Sequence, residues 1–309
     1  MNPPAHPRAI VAPEVRDALD TGRGVVALET TLLVHGLPAE DAARVGAALE
    51  NAVREHGAVP ATVGMVDGVA VVGLDRTEVR RLVERRDVVR KLSTRDLGLA
   101  AAAGVDGATT VAATIALAAA AGVSVMATGG IGGVHLGAVE TFDESADLVA
   151  LSRTPVLVVA SGAKSILDVP ATLQRLDTFG VPVVGYQTTT FPGFYVRDSG
   201  VQVGWSVSSP EEASRAFLAH LELGRGGMLL ANPIPAGAEM DPALHARVLA
   251  DGLHDAHESG IGGADVTPFL LAHFASESGG ASVAANVALV LSNAALAARI
   301  AAVIAVGDE

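Results

Sequence analysis

The stretch Thr154–Thr188, "TPVLVVASGAKSILDVPATLQRLDTFGVPVVGYQT", decides the fold. Two β-branched runs, "TPVLVVASG" and "GVPVVGYQT", flank a segment whose apolar spacing predicts a helix over Ile166–Phe179. Short apolar runs bounded by small residues are buried strands, and strands joined through a helix lie parallel. The pattern recurs along the chain. Further strands are expected in "GVVALETTLLV", "TVGMVDGVAVVGL", "GVSVMATGG" and "GGMLLANPI", and helices over Glu40–His56, Thr77–Arg86, Ala108–Ala121, Pro210–Leu223, Pro242–Glu258 and a long Ala-rich segment ending near Val306. Such alternation defines an α/β class. Asp67-Gly68 between apolar runs is a hairpin signal, so the sheet should be mixed, with an antiparallel pair among mostly parallel strands. No linker, charge run or repeat divides the 309 residues. One α/β domain over 1–309 is expected, with 1–20 an N-terminal extension or first helix.

Inside the deciding stretch lies Lys164, which with Lys91 makes up the whole lysine content among 21 Lys and Arg residues. A solvated cation can be either residue, but only a lysine amine can lose its proton and attack a carbonyl or anomeric carbon, or bind phosphate as a compact charge. Lys164 follows a strand, and open α/β sheets bind ligands at the carboxyl ends of their strands. Ser161, Gly162 and Ala163 leave room for a substrate; a lysine snorkelling from a helix start is the plainer alternative. Glu29 interrupts the apolar run "VVALETTLLV", where desolvation would raise its pKa and suit it to general acid work, unless an arginine pairs with it. In "ETFDESAD", Glu140, Asp143, Glu144 and Asp147 have helical spacing, so a helix there would gather four carboxylates that call for a hard cation or open solvent. "TGGIGGVHLGA" suits close backbone approach to an anion but is not a G-x-G-x-x-G fingerprint. Lys91, with Ser93 and Thr94 in "RKLSTRDL", follows a basic helix and reads as a phosphate contact or a solvated face.

Bulk composition narrows the partners. A net charge of −13 with 3% aromatic residues argues against a nucleic-acid surface, so an anionic substrate must be held locally. With no cysteine there is no disulfide, thiolate metal site or thiol nucleophile. The prolines of "MNPPAHPRAIVAPEV" interrupt any export signal, and the apolar stretches Gly107–Val139 and Ala281–Val306 fit buried helices better than membrane spans. A cytoplasmic protein with a small-molecule substrate and no membrane partner is expected.

Taken together, "ALETTLLVHGLP", "KLSTRDL", "GATTVAAT", "ATGGIGGVHLGA", "TFDESADL", "SGAKSILD", "GYQTTTFPGFY", "ANPIP", "VTPFLL" and "AANVALVLSNA" resemble the pseudouridine-5′-phosphate glycosidases, or indigoidine synthase A-like family, in order from Val25 to Val306. The resemblance implies a three-layer α/β/α homotrimer that reversibly cleaves the C–C glycosidic bond of pseudouridine 5′-phosphate with water, giving uracil and ribose 5-phosphate. It places Lys164 on the nucleophile that forms an imine at C1′, Glu29 on the proton donor and Lys91 on a substrate contact facing the phosphate. Asp143 matches the metal-binding acid, with Mn²⁺ the usual ion and Mg²⁺ or another divalent cation as substitutes. Val111 and Ser145-Ala146-Asp147 match substrate contacts, and Thr128, His135 and Asn286 match pocket positions. The chain departs from the family pattern at Val34, where Ser is usual, and at Leu136 and Val139, where Arg and Glu are frequent. A Schiff-base aldolase for a sugar phosphate, or a non-catalytic nucleotide-binding module, would share several of these features.

Overall fold

The Val-, Ala- and Leu-rich runs pair into strands, which the computed structural model of residues 10–261 and 266–307 places as β1 (Ile10–Val11), β2 (Val25–Glu29), β3 (Val59–Val66), β4 (Val69–Val72), β5 (Arg90–Leu92), β6 (Gly107–Thr109), β7 (Val125–Ala127), β8 (Val134–His135), β9 (Leu157–Ala160), β10 (Leu167–Asp168), β11 (Val183–Tyr186), β12 (Trp205–Val207) and β13 (Met228–Ala231). The main sheet runs β1-β4-β3-β2-β7-β9-β13-β11-β12, with β6 joined to β3 and β5 to β6. Its centre is parallel, and the antiparallel pairs are β3–β4, across the Asp67-Gly68 turn, and β3–β6. β8 and β10 form a separate antiparallel ribbon. This is the mixed, mostly parallel sheet that the alternation implies.

Helices cover both faces in a three-layer arrangement. The helix Ala281–Val306 lies on β2, β7 and β9 and against the helices Ala39–Glu55 and Pro210–Leu223; Val111–Ala120 packs on β2 and on Ala146–Arg153. Small side chains on the long helix let it approach the sheet closely, and Leu289, Ala294, Ala297 and Ile300 are fully buried there. Its 26 residues have a mean hydropathy of 2.0 in the most apolar window, enough to cross a membrane by length and composition, yet they serve as a core helix. One buried cluster runs from Val15 to Ala301, and a smaller one, Met65, Ala70, Leu92 and Ala100, lies under the hairpin.

Pro210–Leu223 and Pro242–Glu258 have the expected bounds, their first turns fixed by the Ser209 and Asp241 side chains accepting the Glu212 and Leu244 N–H groups. Other boundaries differ. The expected helix from Ala108 starts at Val111, because residues 107–109 pair with β3 and β5 and the Thr110 hydroxyl accepts the Ala113 N–H as cap. The expected start at Ile166 moves to Val169, where Asp168 caps the Ala171 N–H and Leu167 is held in the ribbon with β8. "GVVALETTLLV" is not one strand: it ends at Glu29 and continues as the short helix Thr31–His35. The four carboxylates do not share a helix. Phe142, at φ 56°, ends Ala138–Thr141, and Ser145 caps a new helix from Ala146, leaving Asp143 and Glu144 in the connection. Of the N-terminal segment 1–20, residues 1–9 lie outside the described residues; the remainder holds β1 and the helix Pro13–Asp20.

Candidate active site

Four parallel strands carry the chemistry-bearing residues at or just past their carboxyl ends. Glu29 is the last residue of β2, Thr128 follows β7, Ser161 opens the loop from β9 that carries Lys164, and Asn232 follows β13. The loop turns at Gly162, at φ 83°, where an added Cβ would stand 2.2 Å from the Pro192 carbonyl oxygen, so only glycine fits. From there the Lys164 N–H donates to the Ile131 carbonyl (3.1 Å) and the Ile131 N–H to the Gly162 carbonyl (3.0 Å), which ties the lysine loop to the glycine-rich turn.

Glu29, Thr128 and Lys164 line one cleft with two lobes. The narrower, about 310 Å³, is bounded by Leu32, His35, Gly129, Gly130, Phe194, Leu271 and Asn286. The wider, about 450 Å³, is polar: Ser93, Arg95, Thr110, Val111, His135, Asp143 and the segment Ser145-Ala146-Asp147 face it. Glu29, Thr31, Lys91 and Lys164 line both and mark the junction. The chain's two lysines therefore meet at one carboxyl group. Helices starting at Val111 and Ala146 also open toward the wider lobe, and the positive ends of their dipoles favour an anion there.

Glu29 is 6% exposed, and burial raises its pKa against the lowering effects of Lys164, of the Thr128 hydroxyl donated to its Oε1 and of Lys91; Asp147 adds to the rise. Such a carboxyl group keeps its proton to higher pH than a solvated one. Lys91 is an exposed residue at the cleft, yet desolvation there, with the like charge of Lys164, lowers its pKa, while Asp147 and Glu29 oppose the change. Burial likewise lowers His35, helped by Lys91 and Arg86, and His135, where nearby Asp143 acts in the opposite sense.

Lys164, Lys91, Glu29, Ser93, Val111, Thr128, His135, Asp143, Glu144, the segment Ser145-Ala146-Asp147 and Asn286 line this cleft, whereas Glu140 and Thr94 do not, and three of the lining residues do other work than the sequence suggests. Asp147 is 5% exposed and accepts the Ala112 N–H (2.9 Å) and the Gly132 N–H (2.8 Å), so it braces the helix start and the glycine turn. The Gly132 amide is thereby taken by a side chain and is not left for an anion. Thr128 turns its hydroxyl to Glu29, and Glu144 is paired with Arg175. Asp143 accepts no hydrogen bond at its carboxylate among the described residues; His135 Nδ1 stands 3.8 Å from Oδ2. Asn286, which lines the narrower lobe, is 5% exposed, and its buried Oδ1 has no partner among the described residues. Sequence reasoning missed Thr31, Phe194 and Leu271 as cleft walls, since nothing in their spacing sets them apart from core residues, and it also missed Asn293.

Comparison with known proteins gives consistent results. The family model described as indigoidine synthase A like protein matches residues 14–303. A pseudouridine-5′-phosphate glycosidase of Salinispora tropica is 57% identical over 93% of this chain and 89% of its own length. One from Streptomyces griseus is 54% identical over 94% and 91%. Among solved structures, the prealnumycin C-glycosynthase AlnA in complex with ribulose 5-phosphate superposes with a TM-score of 0.90 at 39% identity, covering 99% of each chain.

Proposed function

The chain belongs to the indigoidine synthase A-like family, and from that premise we propose that this enzyme reversibly cleaves the C–C glycosidic bond of pseudouridine 5′-phosphate with water, giving uracil and ribose 5-phosphate. The observation that carries the reading is the meeting of both lysines at a buried, protonatable carboxyl group between an apolar and a polar lobe. In this reading the phosphate takes the wider lobe, near Lys91, Arg95 and the two helix starts, and the pyrimidine takes the narrower one, where Asn286 Oδ1 can accept an N–H from it.

A bond to a pyrimidine carbon has no heteroatom leaving group to protonate, so the two-carboxylate route of glycoside hydrolysis does not serve. The unprotonated Lys164 Nζ attacks C1′ as Glu29 gives its proton to the ring oxygen, which breaks the C1′–O bond and opens the sugar. Protonation at C5 of the pyrimidine and the nitrogen lone pair then break the C1′–C5 bond, releasing uracil and leaving an imine of ribose 5-phosphate on Lys164. Water hydrolyses the imine. Glu29, returned to its carboxylate by the first transfer, is placed to take up and redeliver the proton.

Asp143 fits a divalent cation of the hard, oxygen-bound kind. No group of three or more His, Cys, Asp or Glu gathers among the described residues, but such cations accept one carboxylate with water completing the shell, and this carboxylate lines the polar lobe with the His135 ring 3.8 Å away. Asp143 would hold Mn²⁺ or Mg²⁺, which would supply positive charge to the substrate's oxygens. Removing the metal with chelator should abolish activity and Mn²⁺ should restore it, while Asp143→Ala should lose both the response and Mn²⁺ binding measured calorimetrically. A metal-stripped enzyme at full turnover would refute the assignment.

Lys91→Ala should raise KM for the phosphorylated substrate far more than for the bare nucleoside. Loss of one charge-assisted contact costs about 1.5–3 kcal/mol; an unchanged preference for the phosphorylated form would remove Lys91 from the phosphate. The whole reading is tested by incubating uracil with ribose 5-phosphate, with and without Mn²⁺, and following pseudouridine 5′-phosphate by chromatography. An aldolase would form none, and a mere binding module would keep its affinity on Lys164→Arg. The reading includes a cytoplasmic homotrimer, for which the exposed Leu136, Val139 and Phe142 beside Asp143 offer apolar surface suited to another copy.

A further inference from the structure

Asn293 is fully buried on the apolar face of Ala281–Val306, with Val290, Ala294 and Ala297 around it. A buried amide is retained where its partners are in place, and a leucine would otherwise extend this face. Its Nδ2 donates to the Thr128 carbonyl (2.8 Å) and the Ser161 hydroxyl (3.1 Å), and its Oδ1 accepts from Asn232 Nδ2 (2.9 Å). Each partner is the first residue past a strand, and β7, β9 and β13 are neighbours in the sheet. One amide thus clamps the carboxyl ends of three adjacent strands.

What leaves those ends is the chemistry. Thr128 sends its hydroxyl to the Glu29 carboxylate, and Ser161 begins the turn to Lys164. We infer that Asn293 is a positioning residue, which holds acid and nucleophile in register by fixing the backbone from which Thr128 reaches Glu29 and the lysine loop departs. The inference rests on the roles given above to Glu29 and Lys164. Neither Asn293 nor Asn232 lines the cleft, so both act through other residues.

The charged groups facing Glu29 are Lys164, Lys91 and Asp147, with His35 lining the same lobe; none of them bonds to Asn293. Thr128 is the link between the two, and its hydrogen bond holds the Glu29 pKa down. Loosening that bond must move the Glu29 titration to higher pH. The experiment compares Asn293→Ala, Thr128→Val and the double variant. Glu29 is titrated by its carboxyl infrared band with Glu29→Gln as the blank, alongside kcat and KM. Asn293→Ala should lower kcat roughly 10- to 100-fold, the scale of a small misplacement of reacting groups, with KM little changed and the Glu29 titration moved upward. Adding it to Thr128→Val should move the titration no further, because both act through one bond. If Asn293→Ala does not fold, Asn232→Ala, which frees one end of the amide, should give a smaller upward shift. A titration that stays in place in the folded variant, or shifts that add in the double variant, would overturn the inference and leave Asn293 a packing residue. If Glu29→Gln keeps full turnover, the reading of Glu29 itself fails, and this inference with it.

Discussion

Lys164→Ala should lose turnover by on the order of 10⁴- to 10⁶-fold, the scale on which enzymes suffer when a covalent nucleophile is removed. Borohydride should trap ribose 5-phosphate on the wild-type chain at residue 164 and nowhere else. Lys91 offers an internal control. It is the other lysine, it lines the same cleft, and its own amine is held below the ordinary lysine range, yet it sits on β5 while Lys164 rides on the loop beyond β9. Mass spectrometry finding the sugar on Lys91, or finding equal adduct on Lys164→Ala, would move the nucleophile or abolish the imine.

The second large effect belongs to Glu29. Glu29→Gln keeps shape and hydrogen bonding but cannot deliver and recover a proton, so kcat should fall on the order of 10²–10⁴-fold while substrate still binds. The working form carries Glu29 protonated, so wild-type kcat/KM should fall as pH rises through the Glu29 pKa. Because burial raises the Glu29 pKa, the limb it sets lies at higher pH than an ordinary carboxyl group would give. In the glutamine variant that limb disappears. Stability supplies an independent check. A carboxyl pKa raised above the value it has in the unfolded chain gives a contribution that is full below that unfolded value and lost as pH rises through the folded-state pKa. Glu29→Gln should therefore melt higher than wild type at neutral pH and converge with it in acid. A variant with near-native kcat and the alkaline limb intact would show that another group moves the proton.

The architecture could be read from the sequence because its signals are local. Alternating β-branched runs, Asp67-Gly68 and the Ser209-Pro210 and Asp241-Pro242 caps each act within a few residues, and the sheet, its hairpin and those two helices follow them. Boundaries failed where a distant strand competes. Residues 107–109 leave the helical pattern because β3 and β5 offer them partners, and "ETFDESAD" breaks because Phe142 takes a left-handed conformation that its spacing cannot announce. At the cleft, the rarity of lysine and a lone acid in an apolar run marked Lys164, Lys91 and Glu29. The bracing work of Asp147 and the orientation of Thr128 depend on contacts between segments far apart in sequence, which no window reveals. Asn293 had one visible sign, a polar amide inside "ALVLSNAALA", and it is legible only once the three strand ends are in space.

The clamp by Asn293 also bears on how the chain reaches its native state. Glu29 and Asn293 lie near opposite ends of the described sequence, and the strands between them are joined by long crossovers, a topology that folds slowly because its contacts are non-local. During synthesis the strands that carry Glu29, Thr128 and Lys164 emerge well before the helix that fastens their ends. A nascent chain that lacks this helix also leaves β2, β7 and β9 bare on the face the helix covers. Catalytic competence should therefore arise in the last folding step, and a ribosome-stalled chain ending before Ala281 should expose an apolar sheet face for chaperones to shield.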